Sequence, residues 1–208
     1  MSFLDNKKVG LALIFVGLIN LLAGIGRVVS GIIDEDVDLV VAICYGIASL
    51  IFGALIFGYG IKVRGGPNDE SDIVSGLIRR IGIVTILQAV FIAVAVALES
   101  DEGFGVALIG AIIGAIVTII IGLIFIWAAG KVAGKSKNVI SKFLWVILVV
   151  LFLIMAIITL FSAIVALLDV EIGLWNILGL VSAICICIVY LYCFVAMLSQ
   201  DVKSSMGI

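Results

Sequence analysis

Six apolar runs, each at least about 18 residues long, dominate the chain and leave it few folds to choose from. They cover Val9–Val29, Leu39–Ile61, Ile81–Leu98, Phe104–Gly130, Phe143–Leu168 and Ile172–Leu198. At about 1.5 Å of rise per residue each run crosses a hydrocarbon core of about 30 Å, the longer ones with tilt. In hydrocarbon every backbone N–H and C=O must be paired within its own segment, which a continuous helix achieves. The chain's one proline, Pro67, lies outside all six runs, and none alternates as a membrane barrel strand does. The sequence therefore predicts an all-α membrane protein: a six-transmembrane helical bundle forming a single integral membrane domain over residues 1–208. Composition agrees, with 65% hydrophobic and 12% charged residues against about 25% charged in a soluble domain.

The few charges orient the spans. Lys7, Lys8, Lys62, Arg64, Arg79, Arg80, Lys131, Lys135, Lys137, Lys142 and Lys203 fall on one side if six helices alternate. Asp34, Glu35, Asp36, Asp38, Glu99, Asp101, Glu102, Asp169 and Glu171 fall on the other, with Arg27 nearby. Positive charge resists translocation, so the reading is a multi-pass protein of the cell membrane with basic loops and both termini in the cytoplasm and acidic turns outside. Trp127, Trp145, Tyr59, Tyr190 and Tyr192 sit at depths that suit an interfacial aromatic belt. The first span is too long for a signal peptide and reads as retained.

The same unit recurs three times, over approximately 7–68, 72–138 and 139–203. Each runs from a basic start through an apolar helix, an acidic turn and a second helix to a basic stretch, so the bundle reads as three tandem two-helix hairpins in parallel. Glycines recur every seven residues, at Gly10, Gly17 and Gly24 in the first span and at Gly46, Gly53 and Gly60 in the second. Gly110 and Gly114 give the fourth a similar smooth face. Small residues on one stripe let helix backbones approach, which serves packing within the chain, an oligomer surface or a pore-lining groove. The segment Ser71–Arg80, with Ile73, Val74, Leu77 and Ile78 on one face, reads as an interfacial helix capped by Asp69 or Ser71.

The Gly-rich runs Val9–Gly17 and Tyr45–Gly53, set in three short two-helix hydrophobic repeats, resemble the acid-resistance membrane protein family, whose repeats have no known function. The resemblance implies a non-enzymatic membrane protein of undefined molecular activity.

Few residues could carry chemistry. The chain has no histidine, which removes the commonest general base and metal ligand. Cys44, Cys185, Cys187 and Cys193 lie within spans and read as small hydrophobes. The Asp34–Asp38 run starts like an EF-hand loop, but its sixth position is Leu39 and its twelfth Tyr45, so no metal site follows. Candidate solute contacts are Asn20 and Gln88 near mid-span and Arg27 near the outer end of the first helix. Each also has a structural reading, the amides as interhelical hydrogen bonds and Arg27 snorkelling to Asp34 or Glu35. Lys131, Lys135, Lys137 and Lys142 are placed to meet anionic lipid headgroups.

No cofactor is expected, and no loop is long enough for a nucleotide-binding or nucleic-acid domain. The partners are the bilayer and either a second copy or other membrane subunits. The leading function is a non-enzymatic polytopic protein of structural, assembly or stress-related type. The alternative is a small-solute transporter, channel or membrane-embedded substrate-binding subunit of a transporter.

Overall fold

The structure, a computed structural model, describes residues 5–33, 38–66, 68–99, 106–134, 138–168 and 174–208. Among them there is no strand, and all six apolar runs are helices long enough to span a bilayer: α1 (Asn6–Ile33), α2 (Leu39–Gly65), α3 (Glu70–Glu99), α4 (Val106–Ala133), α5 (Val139–Leu168) and α6 (Leu174–Met197). A short α7 (Gln200–Ser205), which hydropathy does not reveal, follows them. Asp34, Glu35, Asp36, Asp101, Glu102, Asp169, Glu171, Lys135 and Lys137 lie outside the described residues.

Local chemistry sets several helix starts. The Asp38 carboxylate accepts from the backbone N–H groups of Val40 and Val41 at 2.8 and 3.1 Å, capping α2. The Asn138 side-chain oxygen accepts from the Ser141 N–H at 2.9 Å and its hydroxyl at 2.7 Å, capping α5. At the head of α3 the Asp69 carbonyl accepts from the N–H groups of Asp72 and Ile73, so Asp69 stands at the cap position.

Packing follows chain order. α1 packs most extensively against α2, then α3 against α4 and α5 against α6; α2 also meets α3, and α6 returns to α1, closing a ring whose thinnest join is α4 against α5. Side-chain to backbone hydrogen bonds tie the neighbouring ends. The Asn6 amide donates to the Asn68 carbonyl at 2.8 Å, the Ser75 hydroxyl to Ala129 at 2.8 Å, and the Trp145 indole to Met197 at 2.7 Å. The starts of α1, α3 and α5 therefore gather with the ends of α2, α4 and α6. That end carries Lys8, Lys62, Arg64, Arg79, Arg80, Lys131, Lys142 and Lys203; it is the basic end of the bundle.

The core lies toward this end. Val63, Leu77, Ile78, Phe125, Val132, Leu148, Phe152 and Met197 are almost wholly buried, and Phe125 stacks on Phe152 with ring centroids 5.5 Å apart. α7 adds Val202 to the same cluster, and Met206, just past its end, joins it. Two expectations are corrected here. Ser71–Arg80 leads into the third span as the first part of an unbroken α3, but its apolar face is not turned to a membrane surface: Ile73, Val74, Leu77 and Ile78 are at most 2% exposed. Their apolar face meets protein because α2, α4 and α7 converge on it. Tyr59 is not part of an outward aromatic belt either; it is buried, its hydroxyl 3.0 Å from the carbonyls of both Asp72 and Ile73.

Candidate functional site

The polar groups of the spans differ in what the fold does with them. Asn20 is wholly buried. Its amide nitrogen donates to the Val16 carbonyl at 2.9 Å, and its oxygen accepts from the Ser182 hydroxyl at 2.8 Å. Both ends of the amide are thus satisfied inside the protein, and the Ser182 bond joins α1 to α6. The hydroxyls of Thr85, Thr118 and Thr159 bond back to carbonyls four residues earlier on their own helices. Arg27 is aimed across the α1–α2 pair, its Nη1 donating to the Ser49 hydroxyl at 3.3 Å. The carboxylates proposed for it, Asp34 and Glu35, are outside the described residues. Gln88 is different: its side chain is turned outward, beside a small cavity of about 40 Å³ bordered by Phe52, Thr85 and Tyr190. That is room for water rather than an organic solute. The fold therefore does not bring Asn20, Gln88 and Arg27 together into one polar site.

Glycines shape the spaces between helices. A Cβ added at Gly10 would lie 2.6 Å from the Arg64 nitrogen, at Gly17 2.5 Å from the Phe57 nitrogen, and at Gly24 2.8 Å from the Gly46 carbonyl. From the other side, Gly46, Gly53 and Gly60 would meet Val28, Leu21 and Ile14 just as closely. Pairs 10/60, 17/53 and 24/46 thus face each other in one antiparallel register. One such pair joins α3 to α4: a Cβ on Gly82 would come 2.7 Å from the Gly122 carbonyl, and one on Gly122 2.8 Å from that of Gly82. Among the described residues no atom lies within 4 Å of a Cβ added at Gly110 or Gly114, so packing among them does not explain these glycines.

A polar cleft of about 600 Å³ opens at the basic end, between α2 and α3 with Ala133 of α4 at its edge. Lys62, Arg79, Arg80, Asp72, Asn68, Ser75 and Tyr59 supply its polar lining. Its geometry is fixed by Arg80, whose guanidinium lies 3.8 Å from the centre of the Tyr59 ring. Arg80 Nε donates to the Leu55 carbonyl at 3.2 Å and Nη1 to Gly76 at 2.9 Å. Gly76 permits this, because a Cβ there would run into the Tyr59 hydroxyl. In the sequence Arg79 and Arg80 read as topology signals; the available clue was a tyrosine six residues before the end of one helix and an arginine ten residues into the next.

The remaining lysines are simpler. Lys131 lies 6.0 Å from the centre of the Trp127 ring, and Lys142 is exposed one turn into α5. Among the described residues no three of Cys, Asp and Glu are grouped so as to hold a metal ion. All four cysteines are buried, and Cys187 points its sulfur at the Ala156 carbonyl of α5. Neither a family model, nor a curated protein, nor a solved structure matches the chain.

Proposed function

We propose that the chain is a non-enzymatic membrane protein of structural or assembly type, built as three tandem hairpins with both termini in the cytoplasm and the acidic turns outside. The observation that carries this reading is Asn20. The most central polar side chain of the first span is spent on Val16 and on Ser182, which makes it a joint between helices rather than a solute contact. The aromatic stack of Phe125, Phe152 and Tyr190 fills the space between α4, α5 and α6 in the same manner. The concentration of lysine and arginine at one end supports a cytoplasmic position for it. The sequence resemblance to the acid-resistance repeats points to the same non-catalytic class.

The test is reconstitution of the full chain in liposomes. Permeability to small solutes should equal that of protein-free vesicles; a flux abolished by Asn20→Leu would overturn the assembly reading. The transporter reading keeps one specific observation, the outward amide of Gln88 beside its cavity. A flux lost in Gln88→Leu but retained in Asn20→Leu would favour it. Orientation is checked by a cysteine placed at Asp101, against the quiet background of four buried native cysteines. A membrane-impermeant maleimide should label it from outside intact cells, and labelling from the cytoplasmic side alone would invert the topology.

A further inference from the structure

We propose that the cleft between α2 and α3 binds the phosphate group of an anionic phospholipid. The argument starts from which donors remain uncommitted there. Ser75 spends its hydrogen on the Ala129 carbonyl, Tyr59 on the carbonyls at the head of α3, and Asn68 its amide on Val63 and Gly66. The neutral donors of the wall are thus satisfied. What is left are cations: Lys62 and Arg79, both outward-facing, and the part of Arg80 not bound to Leu55 and Gly76. A guanidinium carries five N–H donors, and Arg80 uses two of them on backbone carbonyls. Its outer edge therefore remains to fork onto an oxyanion while its plane is held on Tyr59.

Charge agrees with the donor set. Three cations line the cleft against one carboxylate, Asp72. Such a wall selects an anion over a neutral solute. Several oxygens on one centre, as in a phosphate, can serve two arginines and a lysine together. Position then favours a lipid. Lys62 lies three residues before the end of α2, about 4.5 Å along the axis, which is headgroup depth for a spanning helix. Basic spaces between membrane helices at the cytoplasmic level are where acidic headgroups are held. This site is separate from Lys131 and Lys142, and it stands whichever reading of the whole protein holds.

The experiment uses the full chain in a neutral detergent, with native mass spectrometry counting bound phosphatidylglycerol against phosphatidylcholine. Wild type should retain one phosphatidylglycerol in preference. Lys62→Gln with Arg79→Gln should weaken that retention at least about tenfold, the scale of losing one charge-assisted hydrogen bond. Lys131→Gln with Lys142→Gln, an equal loss of charge outside the cleft, should change it less than about twofold. Lys62 and Arg79 face outward, so the first pair should unfold in lipid-free detergent at the wild-type temperature; were it to unfold at a lower one, Lys62→Gln and Arg79→Gln are measured singly, each expected to weaken retention. Glycerol phosphate and inorganic phosphate form the second arm: either one binding alone and displacing the lipid assigns the cleft to a soluble phosphate. No preference between the two lipids with no phosphate binding, or an equal loss in both variant pairs, overturns the proposal.

Discussion

α1 and α4 are both helices of 28 residues, each apolar enough to span a membrane, yet the fold treats them in opposite ways. Of the most apolar stretch of α1, 56% is buried inside the protein; of that of α4, 11%. Glycine content does not separate them. Gly10, Gly17, Gly24 and Gly31 of α1 all abut α2, whereas among the described residues only Gly122 of α4 meets another helix at close range, and Gly110, Gly114 and Gly130 have no neighbour within 4 Å of an added Cβ. The difference lies in the partner. α2 presents its own glycines at matching positions, so two bare backbones approach each other. The register set by Gly82 against Gly122 brings Val90 and Val94 level with Gly114 and Gly110, and both valines face outward. A small-residue stripe becomes an interface only when the opposing helix is equally smooth, because in lipid close packing replaces the hydrophobic drive.

The comparison can be broken most directly at its tightest point. Gly17→Ala places a methyl against the backbone of Phe57, which cannot rotate away as a side chain tip would. It should cost about 1–3 kcal/mol or more in a denaturing-detergent titration, and an unchanged midpoint would remove the close-packing account of α1 and α2. Gly82→Ala asks the same of the single glycine contact of α3 with α4, where Gly122 contributes a carbonyl 2.7 Å from the new methyl. The loss should be smaller, about 1–2 kcal/mol, with α4 more accessible to protease than in Gly17→Ala.

A double-mutant cycle of Asn20→Leu and Ser182→Ala measures what ties α1 to α6. The coupling should be about 0.6–1.7 kcal/mol, the range found for interhelical hydrogen bonds in membranes. A value near zero would mean that the bond adds nothing to the packing of α1 against α6. Least of all, Gly114→Ala should stabilise by about 0.5–1 kcal/mol, since alanine is the better helix former where nothing is crowded. A destabilisation there, dependent on protein concentration, would show that a second copy covers this face.

The helices were legible in the sequence because crossing hydrocarbon demands long apolar runs, and length is a one-dimensional property. What each helix touches is not. Asn20 is recognisable as a buried amide, but Ser182 is one of several serines and threonines in the spans, and only the closed ring selects it. The head of α3 was misread for a related reason: Ile73, Val74, Leu77 and Ile78 form the same amphipathic pattern whether lipid or protein covers them. α7 escaped because six residues are too few for a periodicity signal, although Val202 and Met206 complete the core. The basic cleft went unseen since lysine and arginine at that level already had an explanation in topology, and the Tyr59–Arg80 stack joins separate helices.

The bond between Ser182 and Asn20 spans 162 residues of chain, which bears on the order of synthesis. α1 enters the membrane long before α6 has been made. During that interval the Asn20 amide can use the Val16 carbonyl, but its oxygen has no hydroxyl to accept from. The α1–α2 pair can therefore close along its glycines before the partner of the Asn20 oxygen has been made. A chain stopped after α5 lacks Ser182, and with it the bond that joins the first helix to the last.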